Sequence, residues 1–249
     1  MAVIAGVAGV EFRRSRALWC ALVAILAARA GAEFGATLAI TDTAEVRRVL
    51  YGGLARPLAV AFGAAHVAFA ALGDFDRRLI EFVEARGVSP SVWVAGRLLG
   101  AIWPAAAIAA ASALVALSAG APVAAAVVWA VGLACETLVA AAFALAAVIT
   151  LREGAVALVV TLAFYLFARV AATLVQIAET ATAGGGSAPG VLRALVELLA
   201  RIVPDLDRYA PSGLLVGAPP EVGWVAAQTF ATVLVLGALG AFDLHRQAR

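Results

Sequence analysis

The chain contains no lysine and no asparagine, and all eighteen of its basic residues are arginine. Without Asn there is no N-glycosylation acceptor, and the exclusive use of Arg reads as the coding bias of a GC-rich genome. Charge of either sign is scarce: 14% of residues are charged, against about 25% in ordinary soluble domains. The net charge of +2 is too small to point to a nucleic-acid partner. Cys20 and Cys135 are the only cysteines, and both sit in apolar runs. They are expected to be buried thiols rather than a disulfide or a metal pair.

Catalytic material is equally thin. There are two histidines, His66 and His245, and no HExxH, no paired-cysteine metal spacing, no Walker loop and no GxSxG. The sequence therefore offers neither a catalytic centre nor a metal site. If ATP drives this protein, the ATPase is on another chain.

What the sequence has in excess is apolar surface. Hydrophobic residues make up 64% of its 249 positions, where soluble domains have roughly 45–50%. A soluble fold of this size could not hide that surface, whereas a bilayer requires it. A span needs about 20 mostly apolar residues. By that measure six helices are predicted near 17–40, 55–73, 90–118, 123–150, 155–178 and 222–243, making 1–249 one all-α membrane domain. Tight turns are expected at AGAP around Ala121 and LREG around Arg152, and longer gaps at 41–54, 74–89 and 179–221. A cleavable signal peptide does not fit, because the apolar MAVIAGVAGV precedes Arg13, Arg14 and Arg16 instead of following them.

Arginine placement orients the bundle. With the N-terminus inside, ten arginines fall on the cytoplasmic side and five on the outer side, with Arg29, Arg56 and Arg169 within spans. Both termini are thus expected in the cytoplasm. Residues 1–16, with Glu11, Arg13, Arg14 and Arg16, fit an interfacial helix on the inner leaflet, or a basic flank that only fixes topology. In the segment 74–87, Phe75, Leu79, Phe82 and Val83 form one helical stripe. Glu81, Glu84 and Arg86 lie off that stripe, Gly87 is placed to end the helix, and Ser89-Pro90 to start the next. On the outer side, PGVLRALVELLARIVP reads as a helix only about 20 Å long, too short to span, so it rests in the interface or dips in and returns.

Polar residues inside spans are costly and call for a pairing or functional reason. Arg29 and Glu33 are four apart and can pair along one face. His66 and Glu136 lie near the middles of their spans, and Arg169 in the outer half of the fifth. Arg29, Glu33, His66 and Arg169 are candidates for lining a translocation path, the alternative being structural pairing. Glu136 reads better as a structural partner, and His66 as a packed histidine.

Together these features resemble the type-2, exporter-type class of ABC transporter permeases. The likeness rests on the basic EFRRSRALW (11–19), on six spans with both termini inside, and above all on RRLIEFVEARGVSPSVWVAGRLLGAI (77–102). That stretch is similar to the family's Glu-bearing helix, Pro-containing break and "xxGKLLG" opening of the third span. Arg97 stands here in place of the usual Lys, and Val88-Ser89-Pro90 in place of the commoner Pro-Val/Ile-Ser order. The resemblance implies a bacterial inner-membrane permease, homodimeric or pseudo-dimeric, served by two ATP-binding subunits that carry ATP and Mg. It also implies that the helix with Phe75, Leu79, Glu81, Phe82, Val83, Glu84 and Arg86 docks into the ATPase, and that spans one, two and five border the path. Rival readings are an ion-coupled secondary transporter, which would show broken helices and an inverted repeat, and a membrane-embedded enzyme.

Overall fold

Six helical stretches are long and apolar enough to cross a membrane: Arg16–Thr37, Thr43–Asp76, Pro90–Ser118, Val123–Leu151, Gly154–Ala171 and Val222–Gln247. The computed structural model describes residues 2–40, 42–77, 85, 87–183, 204–217 and 222–247. In order these form α1 (Ala2–Arg14), α2 (Arg16–Thr37), α3 (Thr43–Asp76), α4 (Pro90–Gly100), α5 (Ile102–Ser118), α6 (Val123–Leu151), α7 (Gly154–Ala183), two short 3-10 turns (Leu206–Arg208 and Ser212–Val216) and α8 (Val222–Gln247).

The local chemistry explains the boundaries. Asp42 accepts from the backbone N–H groups of Ala44 and Glu45, capping α3. Helix α3 therefore starts well before the span expected at 55, and most of the gap predicted at 41–54 is helix. Hydropathy alone trims these turns because Glu45, Arg47 and Arg48 dilute it. The third span divides into α4 and α5 at Ala101. Pro104 lacks the N–H that would bond Gly100, and its ring crowds that carbonyl. The two turns read from sequence are present: Gly120 has φ +86° ahead of Pro122, and Arg152 ends α6 in a left-handed conformation at φ 55°. At the other connection Gly87 has φ +76° and Pro90 opens α4 after Ser89. Asp74, Phe75 and Asp76, expected to begin a separate connecting helix, instead complete the last turn of α3.

Helix α6 is the most buried of the spans and packs against α3, α5, α7 and α8. Its Trp129, Leu133, Val139, Leu145, Val148 and Ile149 are fully enclosed. Helices α2 and α8 lie at the periphery. The latter turns Phe230, Leu234, Leu239 and Phe242 outward, as contact with hydrocarbon requires. Cys20 is exposed on α2 and Cys135 half-buried on α6, so neither is the buried thiol expected of it.

Because the turns at 119–122 and 152–153 are tight, α5, α6 and α7 alternate in direction. One end of the bundle collects α1, the C-terminal ends of α3, α6 and α8 and the start of α4, as the contacts of Phe75 with Trp93 and Arg152 and of Arg152 with Gln247 show. The far end collects the C-terminus of α2, the start of α3 and the α5–α6 turn, where Arg48 donates to the Gly120 carbonyl at 3.5 Å. If the α1 end faces the cytoplasm, an impermeant thiol reagent added to intact cells will label Ser118→Cys but not Glu153→Cys, each in a background free of Cys20 and Cys135. The reverse pattern would invert the bundle.

Candidate functional site

The most unusual feature of the interior is a pair of charges near the middle of the bundle. Arg56 of α3 and Glu136 of α6 are 1% and 0% exposed, and their side chains meet in a fork, Nε to Oε2 at 3.1 Å and Nη2 to Oε1 at 3.2 Å. This two-point geometry is what an Arg–carboxylate pair needs to offset the loss of water. Arg56 also donates from Nη2 to the backbone carbonyl of Leu206 at 2.9 Å and, more weakly, to that of Asp207 at 3.4 Å. The Asp207 carboxylate then lies between two arginines, 3.6 Å from Arg56 Nη1 and 3.8 Å from Arg169 Nε. Arg169 further donates to the Tyr165 hydroxyl at 3.5 Å, and Tyr165 itself is buried against Glu136. Two arginines and two carboxylates thus share one cluster from three helices and one irregular segment.

That segment is the second element of the site. Residues 204–217 leave the surface and enter the bundle, burying Leu206, Tyr209, Ala210, Leu214 and Leu215 against α3, α6 and α7. Irregular backbone is tolerated at membrane depth only when protein encloses it, and here it does. Trp129 Nε1 donates to the Ala210 carbonyl at 3.1 Å. The Tyr209 carbonyl lies so close to Gly132 that a Cβ there would stand 1.8 Å from it, so only glycine admits the segment at this level. Near its other edge Tyr209 packs edge-on to Trp224 at 6.1 Å, and Arg208 stands over the same indole at 5.4 Å.

A third group ties the α1 end together. Asp74, at the end of α3, accepts from Trp93 Nε1 at 3.1 Å and from Arg97 Nε at 2.7 Å, with Arg97 Nη2 closing the pair. Arg97 also donates from Nη1 to Glu11 of α1 at 2.9 Å. Three separate elements, α1, α3 and α4, therefore meet on one buried guanidinium. Above it Ala8 of α1 rides on Gly100, where an added Cβ would come within 2.5 Å of the Ala8 Cβ. Phe12 packs edge-on to His66 at 4.9 Å. Next to this clamp, Phe75 is held between Trp93 at 5.6 Å and the Arg152 guanidinium at 3.7 Å. Arg152 also donates to Gln247 of α8, and partial burial draws its guanidinium below its ordinary pKa, with Asp243 opposing the shift. Asp74→Ala should leave Arg97 with Glu11 alone and cost about 3 kcal/mol. The readouts are a lower thermal midpoint and a changed Trp93 emission.

The residues proposed from sequence distribute among these groups and beyond them. Arg29 and Glu33 pair as their spacing predicts, and Arg47 of α3 joins them 3.4 Å from Glu33. Glu33 is half-exposed at the far end of α2. His66 lines a small recess with Ala8, Arg97, Gly100, Ala101 and Pro104. Arg169 belongs to the central cluster. The four path candidates thus engage three different sets of partners. Glu11 joins the clamp, Arg14 and Arg16 are exposed at the junction of α1 and α2, and the side chain of Arg13 lies outside what is described. Leu79, Glu81, Phe82, Val83, Glu84 and Arg86, and the helix expected at 190–203, also lie outside the described residues. Of the stripe ending there, Phe75 turns inward, onto Trp93 and Arg152.

Sequence reasoning placed Arg56 within a span and Arg97 in the resembling motif without giving either a partner, and did not single out Asp74 or Asp207. The signal was present for the first: a lone Arg in one span and a lone Glu in another, each needing an opposite charge. Among the described residues no three His, Cys, Asp or Glu side chains gather as a metal site would require. Comparison with models of known protein families and with curated proteins finds no match.

Proposed function

We propose that this chain is the membrane-spanning permease subunit of an ATP-driven transporter, an exporter by its resemblance, working with ATP-binding subunits on separate chains. It would sit in a bacterial inner membrane with both termini in the cytoplasm, as a dimer with itself or a similar permease. The observation that carries this reading is the Glu11–Arg97–Asp74–Trp93 clamp. The connection 77–89 joins α3 to α4, and both of its anchor points are fixed to one another and to α1 by a buried guanidinium. An element that receives force from a soluble motor and passes it to membrane helices needs such a base, because a loose anchor would absorb the stroke. The apolar stripe that periodicity reads in Leu79, Phe82 and Val83 would supply anchors for a groove on the motor, with Glu81, Glu84 and Arg86 at its rim. Phe75, packed on Trp93 and Arg152, would serve as part of the base.

A second reading is an ion-coupled secondary transporter, favoured by the buried Arg56–Glu136 pair, since ionisable groups at mid-membrane commonly mark ion paths. Reconstitution separates the two. With a cognate ATP-binding subunit in liposomes, vanadate-sensitive ATP hydrolysis should require both chains, and Arg97→Ala should leave hydrolysis largely intact while transport falls. Transport driven by an ion gradient from this chain alone would favour the second reading.

A further inference from the structure

We propose that residues 204–217 are a displaceable plug, seated on the fixed Arg56–Glu136 pair and tethered by Asp207 to Arg169. The inference holds whichever energy source drives the protein.

The seat and the tether differ in kind. Arg56 and Glu136 are both fully buried, both sit on regular helices, and meet at two points. Both members of the pair belong to the bundle, so if the segment leaves, Arg56 keeps its fork to Glu136 and loses only its contacts to Leu206 and Asp207. Asp207 is different: its carboxylate is 53% exposed, and its distances to Arg56 and Arg169 are 3.6 and 3.8 Å, long for direct hydrogen bonds. Among the described residues, side chains of the bundle hold the backbone of the segment at the Leu206 and, more weakly, the Asp207 carbonyl on Arg56, and at the Ala210 carbonyl on Trp129. Between them the packing of Leu206, Tyr209, Leu214 and Leu215 supplies the rest.

Charge balance also permits withdrawal. With the segment seated, two arginines face two carboxylates. If it leaves, Asp207 departs toward water, where its exposure already places it. Glu136 keeps Arg56, and Arg169, 26% exposed, keeps the Tyr165 hydroxyl and a share of water. No buried charge is stranded, which is the usual obstacle to opening such a site. The vacated space would run between α3, α6 and α7, lined by Gly52, Gly132, Arg56 and Arg169, which suits passage of a polar or anionic group.

The experiment uses the full chain in nanodiscs, so that both faces are open to reagent. Cys20 and Cys135 are replaced by Ala, and a single thiol is placed in the seated segment by Ala210→Cys, at a position that is fully buried. An impermeant maleimide should react slowly with this protein. Adding Asp207→Ala or Arg169→Ala should raise the rate about tenfold, as loss of a tether of about 1.4 kcal/mol would do. Neither substitution leaves a fully buried partner stranded, so the fold should survive. A second variant checks displacement directly. A Cβ at Gly52 would lie 3.0 Å from that of Ser212, so Gly52→Cys with Ser212→Cys, once oxidised, should hold the segment and return the Asp207→Ala rate to its low value, with reductant restoring it. Labelling of Ala210→Cys that is equally slow with and without the tether would make the segment a static strut and overturn the proposal. Fast labelling in the tethered protein would overturn it too, by showing that the segment is not seated.

Discussion

Arg56→Ala is expected to lower stability by about 3–5 kcal/mol, because it leaves the fully buried Glu136 without its opposite charge and with only the Tyr165 hydroxyl beside it. Glu136→Ala should cost a similar amount, since Arg56 would retain only the carbonyls of Leu206 and Asp207 and the distant Asp207 carboxylate. The informative variant is the double replacement by apolar residues of like length, Arg56→Met with Glu136→Met. Replacing a buried ion pair by packed apolar groups is often neutral or favourable, so the helices should assemble as before. What the double variant loses is the donor to the Leu206 carbonyl, so segment 204–217 should loosen while the bundle stays intact. Thermal midpoints of the purified protein, with limited proteolysis near residue 210, distinguish the two effects. A double variant as unstable as either single one would mean that the pair holds the bundle through more than its own charge balance.

Gly132→Ala should be the most damaging of the Gly-to-Ala changes among the described residues. Its Cβ would be placed 1.8 Å from the Tyr209 carbonyl oxygen and 2.8 Å from the carbonyl carbon, both backbone atoms that no rotamer change can move. Either α6 shifts away from the segment or the segment leaves its place. Overpacking of this kind costs about 1–3 kcal/mol and sometimes more. Gly73→Ala is the natural control, because nothing lies within 4 Å of the added carbon and the residue is helical in α3 with no proline in the next turn, so a gain of up to about 1 kcal/mol from helix propensity is expected. Opposite signs for two Gly-to-Ala changes in neighbouring helices, read from thermal midpoints, would place segment 204–217 against α6. A neutral Gly132→Ala would remove it from there.

The spans were legible because hydrocarbon imposes a length and a composition that few other environments require. Where the sequence reading fell short, the cause lies in what each rule can see. The first turns of α3 carry Glu45, Arg47 and Arg48, and a hydropathy window reads such residues as loop. It does not see that Asp42 caps the helix, nor that Tyr51 and Gly52 on its other face are fully buried. Arg29 and Glu33 were predicted together because a helix brings residues four apart onto one face. Arg56 and Glu136 are 80 positions apart, and only the packing of α3 on α6 makes them neighbours. Asp74, Arg97 and Glu11 meet for the same reason. Segment 204–217 has neither helical nor strand periodicity, so nothing in PDLDRYAP marks its depth. Its depth follows from Gly132, and from the Trp129 indole and Arg56 guanidinium that donate to its carbonyls. The stripe of Phe75 is a different lesson. Periodicity groups it with Leu79, Phe82 and Val83, but Asp74 to Asp76 continue α3, and that places Phe75 over Trp93 and under Arg152.

By the function proposed above, this chain works with a motor on a separate chain. Gentle detergent extraction of the tagged, full-length chain from its native membrane, followed by identification of co-isolated proteins and assay of ATP hydrolysis, tests it most directly. The predicted result is an ATP-binding subunit in amounts equal to this chain, with vanadate-sensitive hydrolysis that is lost from the complex when Phe82 is replaced by Ala. Isolation of this chain without such a subunit, together with solute movement that follows an ion gradient and ignores ATP, would contradict the account.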